Sequence, residues 1–410
     1  RPGRAVQGAA ECVPRRRTPG ASACEPRSSG IGYHRGSQLT TISRPMVGTR
    51  SEAELMSAGI RPVIASIGTG VMGQVAHLAN YARLRDEGEC AIAGVTDLKR
   101  VLAEAVAERY RVPRVYESAA ELLADPEVDG VACVQPWPNN YALVKQVLAA
   151  GKSVITEKPM VGRLDEAIKL PDLARKRGVH YAVGFMKRYD PGVEVAKDLI
   201  AEMRAGGELG ELRLVDAVCD GGDWWHNLEP PLPGDGTPAP VAVATYPDSC
   251  RTPERRAAYG WLLNIFSHNI NLCHDLLGAK MDPRSARFHG ERAFSATLRC
   301  GDVLVTVRGA PTRAHEWREW TTLTYERGEI AIKSPSPMNR QRVAEVSVLC
   351  ARDGRFATTV HHAPIDWSFY RQARGFVRAL RREEPLRSPA EQCLWDVEVM
   401  EWLIGMAEVE

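Results

Sequence analysis

Val63-Ile64-Ala65-Ser66-Ile67-Gly68-Thr69-Gly70-Val71-Met72-Gly73 is the stretch that decides how this chain folds. An apolar, β-branched run reads as a buried strand, stops at a glycine, and gives way to helical spacing over about 74–84. The three glycines allow a tight turn, a close approach of backbone to a pyrophosphate, and close helix–strand packing. The helix start adds free N–H groups and the positive end of a dipole. The next apolar run, 91–96, ends in Asp97, placed for the two hydroxyls of a ribose and against a 2′-phosphate. That favours NAD, with NADP as the alternative because Lys99 and Arg100 stand beside Asp97. A plain turn with Asp97 as a helix cap is the competing reading.

Outward from this stretch the alternation continues. Helical patterns over 101–110, 118–124 and 141–150 separate short strands near 115–116, 128–134 and 153–157. A helix over 164–177 and a strand over 180–185 follow. Such alternation implies a parallel, doubly wound Rossmann sheet, in which ligands gather at the carboxyl ends of the strands. Glu157-Lys158-Pro159 lies at such an end, which makes Lys158 a candidate proton donor. Beyond 186 the pattern changes. A helix over 192–205 and a strand over 212–219 precede an irregular stretch, 220–258, with Asp223-Trp224-Trp225-His226 and many prolines. A loop of that length suggests a lid or substrate wall. A helix over 259–277 leads into strands at about 285–300, 303–307, 317–325, 329–332, 343–349 and 358–362, and helices over 367–382 and 389–407 close the chain. Strands without intervening helices imply a mostly antiparallel sheet. The fold class is α/β then α+β: a disordered tail (1–55), a dinucleotide-binding domain (56–185), and an α+β domain for substrate binding and oligomerisation (186–410) with a lid-like loop (220–258).

Bulk properties narrow the function. The net charge is +2, but the first fifty residues hold nine arginines against two glutamates, so the positive balance belongs to the tail. The remainder advertises no nucleic-acid surface. No apolar run approaches the ~20 residues that span a bilayer. Ten cysteines lie scattered without a C-x-x-C pair, as suits reduced thiols in a cytoplasmic protein with neither a metal nor a disulfide framework.

The motifs in this order resemble the glucose–fructose oxidoreductase / inositol dehydrogenase / MocA family of nicotinamide-dependent dehydrogenases. The resemblance covers about 60–410. It rests on the glycine motif, Asp97, Gln135-Pro136-Trp137, the segment from Gly151 through Glu157-Lys158-Pro159, the segment from Val183 through Pro191, and Ser267-His268-Asn269-Ile270-Asn271. It implies an open-faced antiparallel sheet that builds homodimers or homotetramers, and substrates among sugars, aminosugars and cyclitols. It also implies that Lys158 contacts nicotinamide and substrate, often across a cis Lys-Pro bond. His268 matches the family's substrate-side histidine. Gly68, Gly70, Met72, Gly73, Asp97, Pro136, Trp137, Asn140, Glu157 and Lys158 are the expected cofactor contacts.

One departure matters. Position 264, where the family commonly has a catalytic carboxylate, is Asn264, and position 271, usually Asp, is Asn271. An amide can orient a hydroxyl but cannot take its proton. Lys158 and His268 must then carry the proton, unless Asp220, Asp223 or Asp275 substitutes. Arg188 and Tyr189, at the start of the second domain, are candidate substrate contacts. Trp224, Trp225 and Trp261 could stack on a sugar ring, and His226 lies in the same loop. The expected activity is NAD(P)-dependent hydride transfer at a CH–OH or ketone carbon. An NAD-assisted glycoside-cleaving enzyme and a catalytically silent NAD-binding regulator are the alternatives.

Overall fold

A computed structural model describes residues 61–225, 229–234, 236–237, 241–352 and 354–410. The expected tail and His226 lie outside the described residues. Five strands, β1 (Val63–Ile67), β2 (Ala91–Thr96), β3 (Gly130–Cys133), β4 (Ser153–Glu157) and β5 (Tyr181–Gly184), form a parallel sheet in the order β2-β1-β3-β4-β5. All register pairs run parallel, with Ile64 opposite Ile92 on one side and Gly130 on the other. The strand order reverses between β1 and β3, which opens a crevice above their carboxyl ends. Both faces are covered: one core cluster joins Ile64, Ala132 and Ile155 to Phe376 and Leu380, and another joins Val131, Val154 and Val183 to Cys393 and Val397. The closing helices Ser368–Leu380 and Ala390–Met406 therefore return to the parallel sheet that the chain built first.

The second sheet has nine strands: β6 (Leu212–Gly221), β7 (Asp282–His289), β8 (Ala293–Cys300), β9 (Val303–Gly309), β10 (Arg318–Tyr325), β11 (Gly328–Lys333), β12 (Glu345–Arg352), β13 (Arg355–His361) and β14 (Glu408–Val409). Their order is β13-β12-β11-β10-β6-β9-β8-β7-β14. The sheet is mostly antiparallel, with parallel pairs at β6–β9 and β14–β7. Its core packs against the helices Pro191–Gly206 and Ser267–Leu277, which bury Val193, Leu199, Ile270 and Leu276.

Several boundaries differ from the sequence reading. The single strand expected over 285–300 is a hairpin, β7–β8, turning at Gly290, whose φ of 51° suits glycine. The helix expected over 164–177 divides into Leu164–Ala167 and Lys169–Arg177, because Pro171 has no N–H to return to Ala167. The irregular stretch ends early: Thr252 caps a helix from Pro253 by accepting from the Arg255 amide. Val115 makes only an isolated bridge to Val95 rather than a strand of its own. No helix among the described residues is long and apolar enough to cross a membrane.

Candidate active site

The glycine-rich turn is built for close contact on two sides and open on the third. Gly68 has φ +100°, and a Cβ there would lie 2.0 Å from the Val134 carbonyl oxygen. A Cβ on Gly73 would meet the Gly68 carbonyl at 2.4 Å. These two glycines are required by the packing of β1, β3 and the helix. Gly70 is different: nothing lies within 4 Å of where its Cβ would be. The free space over Gly70, at the crevice and at a helix start, fits the approach of a pyrophosphate. The helix opens with a π-wound segment, Gly73–Leu78, a form that recurs at functional sites.

Asp97 turns back onto this turn. Its Oδ2 accepts from the Thr69 amide (2.6 Å) and hydroxyl (3.0 Å), and its Oδ1 accepts from the Lys99 amide (2.9 Å). A carboxylate offers about four acceptor positions, so capacity remains for a ribose hydroxyl. Pro136 is exposed, and Trp137 packs against Gly162 and edge-on to Tyr246 at 6.0 Å. Asn140, expected at the cofactor, turns inward instead. Its amide donates to the carbonyls of Pro159 (3.0 Å) and Met160 (3.2 Å), so it shapes the turn that carries Lys158.

The long loop lies over this same edge of the parallel sheet. Gln74 clasps the Leu232 backbone from both ends of its amide (3.1 and 2.8 Å), and Lys99 reaches the Thr237 carbonyl. The Ala242 amide donates to Asn139 (2.7 Å), and Arg163 donates to the Tyr246 carbonyl (3.1 Å). These partners follow β1, β2, β3 and β4 in turn. The loop's described residues thus cross the carboxyl ends of four strands.

Lys158 stands at the end of β4, and its bond to Pro159 is cis. Its Nζ donates to the Asn264 carbonyl (2.6 Å) and Oδ1 (3.1 Å). Loss of water around it pushes its pKa below the usual lysine range, opposed by Glu157 and helped by the Lys187 charge. Glu157 is held apart: Oε1 lies 2.8 Å from the Nε2 of the buried His77. Lys158, Glu157, Met72, Asn264, His268, Trp224 and Trp261 line one cavity of about 510 Å³. Asn264 lies in a second π-wound segment, Leu262–Phe266, and His268 in the α-helical turn that follows. His268 meets Phe185 edge-on at 5.9 Å, and its buried Nδ1 has no partner among the described residues. Desolvation, and then the charges of Lys158 and Lys187, hold its pKa well below the ordinary imidazole value, so the ring is neutral at pH 7.

Other expected contacts fall elsewhere. Arg188 and Tyr189, expected at the substrate, are buried at 2% and 1% exposure and do not line the cavity. Arg188 donates to Asn271 Oδ1 (2.7 Å), the Arg387 carbonyl (2.9 Å) and Gln392 Oε1 (2.6 Å), and lies 3.7 Å from Asp275. The physical reason is the tight 3₁₀ turn Met186–Tyr189, which rotates successive side chains by about a third of a circle. It turns Lys187 toward the cavity and its two successors into the interior. Trp225 packs against the core cluster of the parallel sheet, leaving Trp224 at the cavity. Of the substitute acids, Asp220 lines the cavity, while Asp275 is paired with Lys197 at 3.0 Å and Asp223 accepts from the Trp225 amide. Sequence reasoning missed Lys187, Trp317 and Glu319 on the cavity wall, and His77 behind Glu157. Lys187 lies inside the segment from Val183 through Pro191 that carries the family resemblance. Glu319 on β10 gave no local signal.

Comparison with known proteins places this architecture. Residues 63–185 match the family described as "Oxidoreductase family, NAD-binding Rossmann fold". An uncharacterized oxidoreductase of Synechocystis sp. is 37% identical over 152 residues, covering 37% of this chain and 39% of that protein. Inositol 2-dehydrogenase/D-chiro-inositol 3-dehydrogenase of Lacticaseibacillus casei is 33% identical over 138 residues, covering 33% and 39%. The aligned region thus spans about two fifths of these relatives. Among solved structures, a 3-ketoreductase from Actinomadura kijaniata in complex with NADP and TDP-benzene aligns with a TM-score of 0.66 and 19% identity, over 85% of this chain and 98% of that one. That likeness extends the common fold through the second sheet.

Proposed function

With residues 63–185 belonging to the glucose–fructose oxidoreductase / inositol dehydrogenase / MocA family as its NAD-binding Rossmann region, we propose that the chain is an NAD(P)-dependent oxidoreductase of a sugar, aminosugar or cyclitol. It would interconvert a CH–OH group and its ketone. The observation that carries this reading is the convergence of Lys158, Asn264 and His268 on one cavity whose wall continues through Met72 to the glycine-rich turn. The inositol-acting relative supports the substrate class.

The bound dinucleotide supplies the hydride acceptor or donor. Gly68, Gly70 and Gly73 would cradle its pyrophosphate, Asp97 its ribose, and Pro136 and Trp137 would flank it. The protein's own task is the proton. Lys158 is desolvated and fixed by two acceptors on Asn264, so in its neutral form it can take the hydroxyl proton during oxidation and return it during reduction. A positioned acid–base group of this kind is worth roughly 10²–10⁴ in rate. Neutral His268 can hydrogen-bond the same hydroxyl and keep it oriented. Asn264 holds Lys158 but cannot accept a proton, so in this reading Lys158 carries the transfer with His268 assisting. NAD is the preferred cofactor because Asp97 would face a 2′-phosphate, with NADP as the alternative.

The proposed division of labour is a dinucleotide-binding domain over 56–185 and a substrate domain over 186–410, working as a homodimer or homotetramer in the cytoplasm. The test is a cofactor-reduction screen with NAD and NADP against sugars, aminosugars and cyclitols. Substrate-dependent NAD(P)H formation is expected. Tight dinucleotide binding with no turnover across the panel would instead mark a silent regulator, and glycan release without net NADH a glycoside-cleaving enzyme.

A further inference from the structure

The loop between β6 and the helix from Pro253 touches the substrate cavity through Trp224, but its further ties follow a different course. Its two ends are pinned beside the second sheet. A Cβ on Gly222 would lie 2.3 Å from the Glu316 carbonyl oxygen, and Cys250 is buried in that sheet's core cluster. Between them the chain carries six prolines from 230 to 247 and, among its described residues, no strand or helix. Side chains that follow four strands of the other sheet hold this span. Gln74, after β1, donates to the Thr69 carbonyl (2.9 Å) as well as clasping Leu232, so one buried amide ties the loop to the glycine-rich turn. Lys99, after β2, reaches Thr237, while Arg109 donates to the Pro230 carbonyl (3.2 Å) and pairs with Glu229 at 2.7 Å. Asn139, after β3, holds Ala242. Arg163 and Glu166, after β4, hold Tyr246 and Thr245, the latter through its hydroxyl at 3.1 Å. The expected dinucleotide contacts run the same way: Asp97 after β2, Gly70 after β1, Pro136 and Trp137 after β3, and Lys158 after β4. The loop and the dinucleotide therefore share one track across the crevice.

We propose that this loop is the outer wall of the dinucleotide site, a strap closed over the bound cofactor along its length, with the Gln74–Leu232 clasp as its latch. Cofactor then leaves only after the latch has opened. The inference rests on the dinucleotide-binding reading and goes beyond it, because it gives the second domain a part in holding the cofactor. A span without a backbone ladder of its own, anchored on the parallel sheet by Trp225, Leu232 and a few side-chain hydrogen bonds, opens at a free energy far below that of global unfolding. The prolines restrict its open conformations and so lower the entropy lost when it closes again. Gln74 touches the turn and the strap together, and acts as a positioning residue for both.

The experiment measures association and dissociation of NADH by stopped-flow fluorescence in wild type, Gln74→Met and Leu232→Ser. Gln74→Met removes both bonds of the clasp, and also the bond to Thr69. Leu232→Ser loosens the strap while leaving the glycine-rich turn untouched, and its melting temperature should stay near that of wild type. Loss of two hydrogen bonds should speed dissociation by about tenfold or more in Gln74→Met, and Leu232→Ser should release NADH several-fold faster than wild type. In wild type, saturating NADH should also slow hydrogen exchange at the Leu232 and Ala242 amides, read on peptides spanning 229–246. Wild-type dissociation in Leu232→Ser overturns the proposal. So does tighter binding in both variants through faster association alone, the mark of a loop that occupies the dinucleotide's place, and so does exchange that NADH leaves unchanged. In each of those cases the dinucleotide-binding reading stands. A wild type that binds neither NADH nor NADPH would remove that reading, and this proposal with it.

Discussion

Arg188 offers the sharpest separation of a structural from a substrate-binding role. The guanidinium is buried and reaches three acceptors, Asn271, the Arg387 carbonyl and Gln392, with Asp275 nearby. Arg188→Met keeps the length and removes every donor. Gln392 is exposed and can turn to water, whereas Asn271 Oδ1 is buried and stays unpaired. Leaving a buried acceptor without a partner costs about 1–3 kcal/mol. Asp275 loses one of its two cations but retains Lys197 at 3.0 Å, so only part of the ~3–5 kcal/mol for breaking a buried pair applies. A loss of about 3 kcal/mol is expected, a large share of a typical ~5–15 kcal/mol. Chemical denaturation followed by fluorescence measures it. At a temperature where the variant is folded, KM should match wild type. A change below about 0.5 kcal/mol together with a clear rise in KM would refute this reasoning and return Arg188 to the substrate.

The glycine-rich turn gives a paired test. Gly68→Ala drives a Cβ into the Val134 carbonyl at a φ of +100° and should abolish stable folding of the region, as soluble yield and thermal melting will show. Gly70→Ala meets open space, so its melting should be near wild type while dinucleotide binding weakens at least about tenfold, the result expected if the backbone approaches a pyrophosphate there; unchanged affinity would remove the phosphate from Gly70. Asp97→Ala should weaken NAD more than NADP in equilibrium titrations, and equal losses would take Asp97 away from the ribose. In the pH profile of oxidation, only neutral Lys158 accepts a proton. Because its pKa is lowered by desolvation, kcat/KM should rise with pH and level off below the ordinary lysine value of about 10.4; a profile still climbing beyond that value contradicts the desolvated site.

Much of the parallel half was legible because its signals are local. The run Val63–Ile67 is apolar, Gly68 and Gly73 occupy positions that only glycine fits, and Lys158 sits at a strand end where ligands collect. The second half was read coarsely, since the partner of a strand such as β6 lies far along the chain. Nothing near Leu212–Gly221 announces a parallel neighbour at Val303–Gly309. The site was legible where one segment carries it, as with Asn264 and His268 four residues apart. It was illegible where it is assembled from distant elements. Glu319 is buried beside Lys187 by the juxtaposition of β10 with the turn after β5, and no spacing in the sequence encodes that. Arg188 was misplaced for a smaller reason: its charge suggested a ligand, while the 3₁₀ turn aimed it at Asn271.

The central claim is that Lys158 moves the substrate proton. The direct measurement is single-turnover hydride transfer by Lys158→Ala, alongside its dinucleotide affinity. The expected result is a rate lower by about 10²–10⁴, with dinucleotide affinity within a few-fold of wild type. Transfer at near wild-type rate by a variant that still binds the dinucleotide would contradict it.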